Sequence, residues 1–232
     1  MREIVLDTET TGFEPSEGHR IVEIGAVELM NHMPTGRTYH QYINPARAMP
    51  KEAFEVHGLG DDFLRDKPLF ASIAQAFLDF IADAPLVIHN APFDMKFLNA
   101  ELASVGKPAL PMQRAIDTVP MARKKFPGSP ASLDALCRRF GVDNAAREKH
   151  GALLDSELLA EVYLELIGGR QPDFGLAGPQ AQMPGESAQA TANWRPSPRA
   201  QPLQSRLTDA ETAAHRDFIA KMGDAAIWRR RV

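Results

Sequence analysis

Apolar positions near the N-terminus follow the spacing of β-strands. Residues 3–7, EIVLD, form a continuous apolar run of the kind that is buried on both faces of a sheet, and residues 21–29, IVEIGAVEL, alternate in part. Residues 37–44, RTYHQYIN, predict a third strand. The chain therefore begins with strands that follow one another closely.

From residue 69 onward, helical and strand spacing alternate. Residues 69–84 place apolar side chains at helical spacing, and the short run PLVIHN at 85–90 predicts a buried strand that leads into a helix at 92–105. The remaining predicted elements are a strand near residues 115–118 and helices at about 118–126, 131–140 and 152–167. Strands followed by this alternation predict an α/β fold with a mixed five-stranded sheet flanked by helices.

The pattern changes after residue 170. Residues 171–207 contain six prolines and six glutamines with little periodicity, which is the composition of a flexible linker. Helical spacing returns after Thr208 or Asp209, either of which can cap a helix, and a short amphipathic helix behind a linker is typical of a docking element. We therefore predict three segments, namely a folded domain at residues 1–170, a flexible linker at 171–207 and a docking segment at 208–232.

Charge is distributed unevenly along the chain. The formal net charge is -4, and residues 171–232 hold eight Lys and Arg against six Asp and Glu, which leaves 18 against 24 in the preceding part. An acidic domain lacks the basic surface on which phosphate affinity usually rests. Contact with DNA or RNA therefore requires metal ions that offset the carboxylates.

The cellular compartment follows from cysteine usage and apolar run length. The single cysteine, Cys137, excludes an internal disulfide and fits a reducing compartment. The first ten residues carry acids where a signal peptide has an apolar stretch, and no run of about 18 apolar residues occurs. We expect a cytoplasmic protein with no membrane partner.

Two carboxylates follow the first predicted strand. Asp7 and Glu9 are two residues apart, so a strand places both on one side at the end of the sheet. Open α/β sheets form their sites at such ends. The alternative interpretation is a turn, since Asp, Thr and Gly12 are common turn residues.

Another carboxylate begins a predicted helix and shares its apolar face. Phe97, Leu98 and Leu102 lie three, four and eight residues after Asp94, in a helix that Asn90 can cap. A buried carboxylate without a partner is costly, so Asp94 requires a cation or a hydrogen-bond donor.

Asp155 has the same placement in a later helix. Leu159, Val162 and Leu166 lie four, seven and 11 residues after it, which aims its carboxylate at the core from the first turn. His150 is five residues upstream, before a glycine that favours a loop, and from there its imidazole can approach the same point.

Four inward-facing acids would repel one another unless they shared a positive charge. Hard cations such as Mg²⁺ or Mn²⁺ prefer oxygen ligands, whereas zinc is improbable with one cysteine and no close pair of histidines. Two such ions can bind the attacking and leaving oxygens of a phosphodiester while a neutral imidazole accepts the proton of the attacking water. These residues therefore predict a hydrolytic site.

Three motifs carry a resemblance to a known family. DTETTG at 7–12, HNAPFD at 89–94 and HGALLD at 150–155 resemble the signatures of the DEDDh 3'-5' exonucleases, over roughly residues 1–168. The resemblance implies a ribonuclease H-like fold and two divalent metal ions, Mg²⁺ or Mn²⁺. It also implies metal ligands at Asp7, Glu9, Asp94 and Asp155, a general base at His150, and substrate contacts from Asp7, Glu9, Thr10, Gly12, Glu52 and His57.

Within this family, the chain is most similar to proofreading subunits of bacterial replicative polymerases. RQPDFGL resembles a sliding-clamp peptide near 171–176, with Gln171, Phe174 and Leu176 as anchors, although the usual aliphatic and aromatic positions are exchanged. QAQMPG at 180–185 is a poorer second candidate. The last segment resembles a polymerase-docking element, with contacts from Phe218, Ile219 and Trp228.

The resemblance implies a set of partners and leaves two other functions open. The implied partners are a single-stranded or frayed 3' DNA end, the catalytic subunit of the replicative polymerase, the sliding clamp and a small accessory subunit of the polymerase core. One alternative is a DEDDh exoribonuclease that trims RNA ends, because the same metals cleave either backbone. The other is a non-catalytic scaffold between polymerase and clamp, against which the complete set of acids argues.

Overall fold

The computed structural model describes residues 1–145, 149–169 and 207–223. Five strands form one sheet, namely β1 (Arg2–Thr10), β2 (Ile21–Met30), β3 (Met33–Tyr42), β4 (Leu86–Ile88) and β5 (Ala115–Asp117). The helices are α1 (Lys51–His57), α2 (Asp61–Leu64), α3 (Phe70–Ile81), α4 (Ala91–Ser104), α5 (Thr118–Lys125), α6 (Leu133–Phe140), α7 (Ala152–Leu166) and α8 (Asp209–Met222). Single 3-10 turns occur at Pro15–Glu17 and Met112–Arg114.

The sheet is mixed, as the sequence predicts. Its strand order is β3-β2-β1-β4-β5, in which β2 is antiparallel to both β1 and β3, while β4 is parallel to β1 and β5 is parallel to β4. Strand β1 is central and buried along most of its length. Because β1 and β4 run in the same direction, the residues that follow them meet at one edge of the sheet.

Alternation along β1 divides the core between the two faces of the sheet. Ile4 and Leu6 belong to the cluster that packs against α3 and α4, whereas Val5 belongs to the cluster formed with α5, α6 and α7. The same two-residue period continues as far as Glu9, after which the pairing with β2 becomes irregular. Asp7 and Glu9 therefore point to the side of α7, and Thr8 points to the side of α4.

Several sequence predictions require correction in detail. The apolar pattern predicts neither α1 nor α2, because both helices are short and Phe54 and Val56 of α1 are partly exposed. Asn90 precedes α4, but its side chain does not cap the helix and its backbone is left-handed, with φ of 67°. Its place is set by Asp117, whose Oδ1 accepts the Asn90 backbone N–H at 3.1 Å.

Helix α8 begins at Asp209. Thr208 caps it, as predicted, and a reciprocal bond with Glu211 completes a capping box. No residue of α8 is buried, and the exposed side chains of Phe218 and Met222 lie four residues apart on one face of the helix. The predictions for Gln171, Phe174, Leu176 and Trp228, and for the linker at 171–207 apart from Leu207, concern residues outside the described ranges.

No helix in the described ranges is both long and apolar enough to cross a lipid bilayer.

Helix α7 approaches the sheet most closely at Gly25 of β2. A β-carbon at this position would lie 2.2 Å from the backbone carbonyl carbon of Ala152 and 2.2 Å from the backbone nitrogen of Leu153. The Ser156 hydroxyl donates to the Gly25 carbonyl at 3.0 Å, which fixes the same contact from the helix side. The absence of a side chain at residue 25 thus brings the first turn of α7, which carries Asp155, against the sheet.

We predict that Gly25→Ala destabilises the domain by roughly 1–3 kcal/mol, because backbone atoms of α7 cannot move aside as a flexible side chain could. Urea denaturation followed by circular dichroism would measure the change. Gly151→Ala is the matched control, since its extended backbone has φ of -152° and nothing lies within 4 Å of an added β-carbon. Equal unfolding midpoints for the two variants would contradict the close packing of α7 on β2.

Candidate active site

A cleft opens where β1 and β4 end. Its volume is about 670 Å³, and its walls come from β1, the loop after it, α1, the turn into α4 and the loop before α7. The residues predicted from the sequence that line it are Asp7, Glu9, Thr10, Gly12, Glu52, His57, Asp94 and His150. Asp155 is buried directly behind His150. The structure therefore gathers all the predicted site residues of the folded domain around one cleft.

Three side chains around the cleft lie close enough together to bind one metal ion. One donor atom each from Glu9, His150 and Asp155 lies within 4.8 Å of the other two. Glu9 and Asp155 are buried, whereas His150 is about half exposed. They come from the end of β1, the first turn of α7 and the loop before it, so tertiary packing creates the cluster.

Asp94 is held at the other side of β1. Its Oδ1 accepts a hydrogen bond of 2.7 Å from the Thr8 hydroxyl, and the whole side chain is buried. Burial raises the pKa of the Asp94 carboxyl to about 7, an effect that Asp117 reinforces and that the bond from Thr8 opposes. This carboxyl lies where a nearby cation would favour its charged form.

His150 lies outside α7, as its spacing from Asp155 predicts. The extended backbone of Gly151 separates it from the helix. Its Nδ1 is 3.3 Å from Asp155 Oδ2, and its backbone N–H donates to the Val56 carbonyl at 3.3 Å. If Nδ1 keeps its proton towards Asp155, the neutral ring has its lone pair on Nε2.

The predicted substrate contacts come from the turn after β1 and from α1. The Thr10 hydroxyl donates to the Gly12 carbonyl at 2.6 Å, which fixes the turn after β1. Glu52, in the first turn of α1, is exposed, whereas His57 at the end of α1 is buried. Polar groups from this turn and from α1 thus face the same space.

The protonation of His57 is set by its surroundings. The Leu59 backbone N–H donates to Nδ1 at 3.0 Å, so the neutral ring carries its proton on Nε2. Burial lowers the pKa of His57, partly offset by the Thr10 backbone. His57 is therefore suited to act as a neutral donor.

The donor set fits divalent metal ions. Glu9 and Asp155 supply carboxylate oxygens within 4.8 Å of each other and of a His150 nitrogen, while Asp7 and Asp94 line the same cleft. Carboxylate oxygens are the ligands that Mg²⁺ and Mn²⁺ prefer. A divalent ion at this place would offset the negative charge of the buried acids.

Sequence patterns did not identify two residues that support the site. Thr8 holds Asp94, and Asp117 caps α5 by accepting the Val119 backbone N–H while it fixes the turn at Asn90. The alternation that places Asp7 and Glu9 on one face of β1 places Thr8 on the other, so this role was available from the sequence. The role of Asp117 depends on the parallel pairing of β4 and β5, which the sequence does not specify.

Comparison with known proteins shows the family. The family model RNase_T, described as exonuclease, matches residues 4–163. The DNA polymerase III subunit epsilon of Rickettsia felis is 49% identical over 233 residues, covering 96% of this chain and 97% of that protein. The subunit epsilon of Escherichia coli K12 is 46% identical over 241 residues, covering 98% of this chain and 97% of that protein. Both similarities extend beyond the exonuclease match.

Solved structures support the fold. The nuclease domain of 3'hExo, described as a DEDDh family member bound to rAMP, has a TM-score of 0.62 at 20% identity, covering 72% of this chain and 91% of that chain. Exonuclease X in complex with 5' overhanging duplex DNA has a TM-score of 0.54 at 22% identity, covering 71% of this chain and 90% of that chain. The sheet and its helices thus form the predicted ribonuclease H-like fold.

The agreement of the family match, the full-length relatives and the fold leads to one assignment. The chain belongs to the exonuclease family and, within it, to the DNA polymerase III epsilon subunits, which makes it a 3'-5' exonuclease associated with that polymerase.

Proposed function

We propose that this chain is the proofreading exonuclease of a replicative DNA polymerase, which removes mispaired 3'-terminal nucleotides as monophosphates. The observation that carries the proposal is the convergence of Glu9, His150 and Asp155 within 4.8 Å, in a cleft that Asp7 and Asp94 also line. Relatives named DNA polymerase III subunit epsilon, matched along nearly the whole chain, supply the polymerase context.

Asp7, Glu9, Asp94 and Asp155 would hold two Mg²⁺ or Mn²⁺ ions. When bound, such ions neutralise the phosphodiester charge and stabilise the attacking and leaving oxygens. The acidic side chains cannot bind a phosphate by themselves, because like charges repel. Metal dependence of substrate binding is therefore built into the composition of the cleft.

His150 would act as the general base. Its Nδ1 lies 3.3 Å from Asp155 Oδ2, which orients the ring and leaves Nε2 to accept the proton of the attacking water. Half of the His150 side chain is exposed, so the ring reaches solvent from which the water comes. Asp155 would thus serve two neighbours, a metal ion and the imidazole.

The turn after β1 and α1 would bind the terminal nucleotide. Thr10, Gly12, Glu52 and His57 line the same cleft as His150. The buried Nε2 of His57 makes no hydrogen bond of normal geometry within the described ranges, and a polar substrate group would satisfy it. A single strand with a free 3' end would enter this cleft at the ends of β1 and β4.

We also propose the segment boundaries and partners of the tail. Residues 1–170 form the nuclease domain, Gln171, Phe174 and Leu176 bind the sliding clamp, and 208–232 dock on the polymerase catalytic subunit. The matches to epsilon subunits cover 96% or more of this chain, which supports a tail shared with those subunits. The exposed Phe218 of α8, with partly exposed Ile219 and with Trp228, would supply that contact. A small accessory subunit of the polymerase core and a cytoplasmic location complete the proposal.

Substitutions at Asp155 and His150 should separate the role of metal ligand from that of general base. Asp155→Asn should weaken Mn²⁺ binding, whereas His150→Ala should leave the metal bound and lower kcat by a factor on the order of 10²–10⁴. Isothermal titration with Mn²⁺ and hydrolysis of 5'-labelled single-stranded DNA would measure the two effects.

The matched control is Asp62→Asn, which changes an exposed acid that is paired with Arg65 and does not line the cleft. It should alter neither quantity. If His150→Ala weakened Mn²⁺ binding as much as Asp155→Asn, His150 would be a ligand and its assignment as base would be wrong. Full activity of an Asp7→Ala, Glu9→Ala double variant would refute the site itself.

We expect the enzyme to prefer DNA to RNA as its substrate. With Mg²⁺, a single-stranded DNA oligonucleotide should be shortened from its 3' end faster than an RNA oligonucleotide of the same sequence, because a proofreading subunit acts on deoxynucleotides. Comparison of kcat/KM for the two substrates is the measurement. Faster hydrolysis of RNA would support the exoribonuclease alternative instead.

We expect the nuclease domain and the tail to function separately. Removal of residues 171–232 should leave kcat unchanged and abolish co-elution with the polymerase catalytic subunit on gel filtration. In the full chain, Phe174→Ala with Leu176→Ala should reduce retention on immobilised clamp without affecting the polymerase contact. Loss of nuclease activity on truncation would show that the tail belongs to the catalytic unit.

A further inference from the structure

The loop that carries His150 is attached to α1 as well as to its own helix. The His150 backbone N–H donates to the carbonyl of Val56, the residue before His57, at 3.3 Å. This bond joins residues nearly a hundred positions apart. The position of the His150 backbone, and with it that of the imidazole, therefore depends on the C-terminal end of a seven-residue helix.

Lys149 strengthens the same attachment. Its Nζ lies 5.1 Å from the centroid of the Phe54 ring, within the range of a cation–π contact. Its aliphatic stem crosses Gly58, where a β-carbon would be 2.8 Å from Lys149 Cδ. Gly58 has φ of 75°, so this glycine both ends α1 and leaves room for the lysine stem. Two consecutive residues, Lys149 and His150, thus contact α1.

Helix α1 also forms part of the substrate wall. Glu52 from its first turn and His57 from its last residue line the cleft, while Val56 and Phe54 hold the loop of His150. One short helix therefore links the groups proposed to contact the nucleotide with the group proposed to accept the proton.

We infer that Lys149 and Phe54 are positioning residues, whose contact on α1 places the His150 imidazole for catalysis. The inference rests on the proposed role of His150 as base. Phe54 is 42% exposed and Lys149 is also exposed, so their contact contributes little to the core. Its effect is instead on where the adjacent His150 points, because a small displacement of a catalytic group is costly in rate.

Steady-state kinetics of the full chain at saturating Mg²⁺ and single-stranded DNA would test the inference. Lys149→Ala and Phe54→Ala should each lower kcat by about two- to fivefold, the factor expected if the energy of an exposed cation–π contact is lost from the transition state. The double variant should be no slower than either single variant. Lys149→Arg, which keeps stem and charge, should retain the original kcat.

Lys51→Ala is the matched control. Lys51 lies on the same helix, pairs with the exposed Glu55 at 3.6 Å, and does not line the cleft. Its removal should leave kcat unchanged. Melting temperatures within a few degrees of that of the original chain would show that the slower variants remain folded. An unchanged kcat in both Lys149→Ala and Phe54→Ala would overturn the inference.

A cycle with His150→Ala separates positioning from a general effect on the cleft. Lys149→Ala should have no further effect on kcat once the imidazole is absent. An equal fold-reduction in both backgrounds would overturn the positioning role and leave His150 as base. An unchanged kcat in His150→Ala alone would overturn the base assignment and the positioning role with it.

Discussion

Electrostatic repulsion among buried carboxylates is the constraint on which this structure depends. Glu9, Asp94 and Asp155 are each at least nine-tenths buried, and Asp7 lines the same cleft. Buried carboxylates this close repel one another, so the free energy that holds them together must come from the packing of the surrounding core. Apolar packing on both faces of β1 provides it, and the local cost of the acids is what makes the cleft selective for cations.

The sequence predicts those elements in which apolar residues recur at the period of a strand or a helix. The two-residue period of β1 correctly placed Asp7 and Glu9 on one side, and the apolar residues after Asp155 correctly aimed that carboxylate inward. The motifs then gave the family. The same period could have identified Thr8 as the partner of Asp94, but a threonine between two acids gives no signal by itself.

Other parts of the site arise from contacts that no local pattern encodes. Phe54 and Val56 of α1 are partly exposed, so the helix has no regular apolar face and the apolar pattern does not predict it. Its position depends on residues far along the chain, including His150. Asp117 acts on Asn90 only because β5 pairs in parallel with β4. Such tertiary contacts require knowledge of strand order, which periodicity does not provide.

From Ile4 to Glu9, strand β1 directs its side chains alternately to the two faces of the sheet. Asp7 and Glu9 face α7, and Thr8, which binds Asp94, faces α4. Loss or gain of a single residue within β1 would exchange the two faces for every position beyond it. Asp7 and Glu9 would then point towards α4, and Asp94 would lose its donor. During evolution, this strand can accordingly accept substitutions at its apolar positions, but a change of length would have to be accompanied by rebuilding of both helical layers.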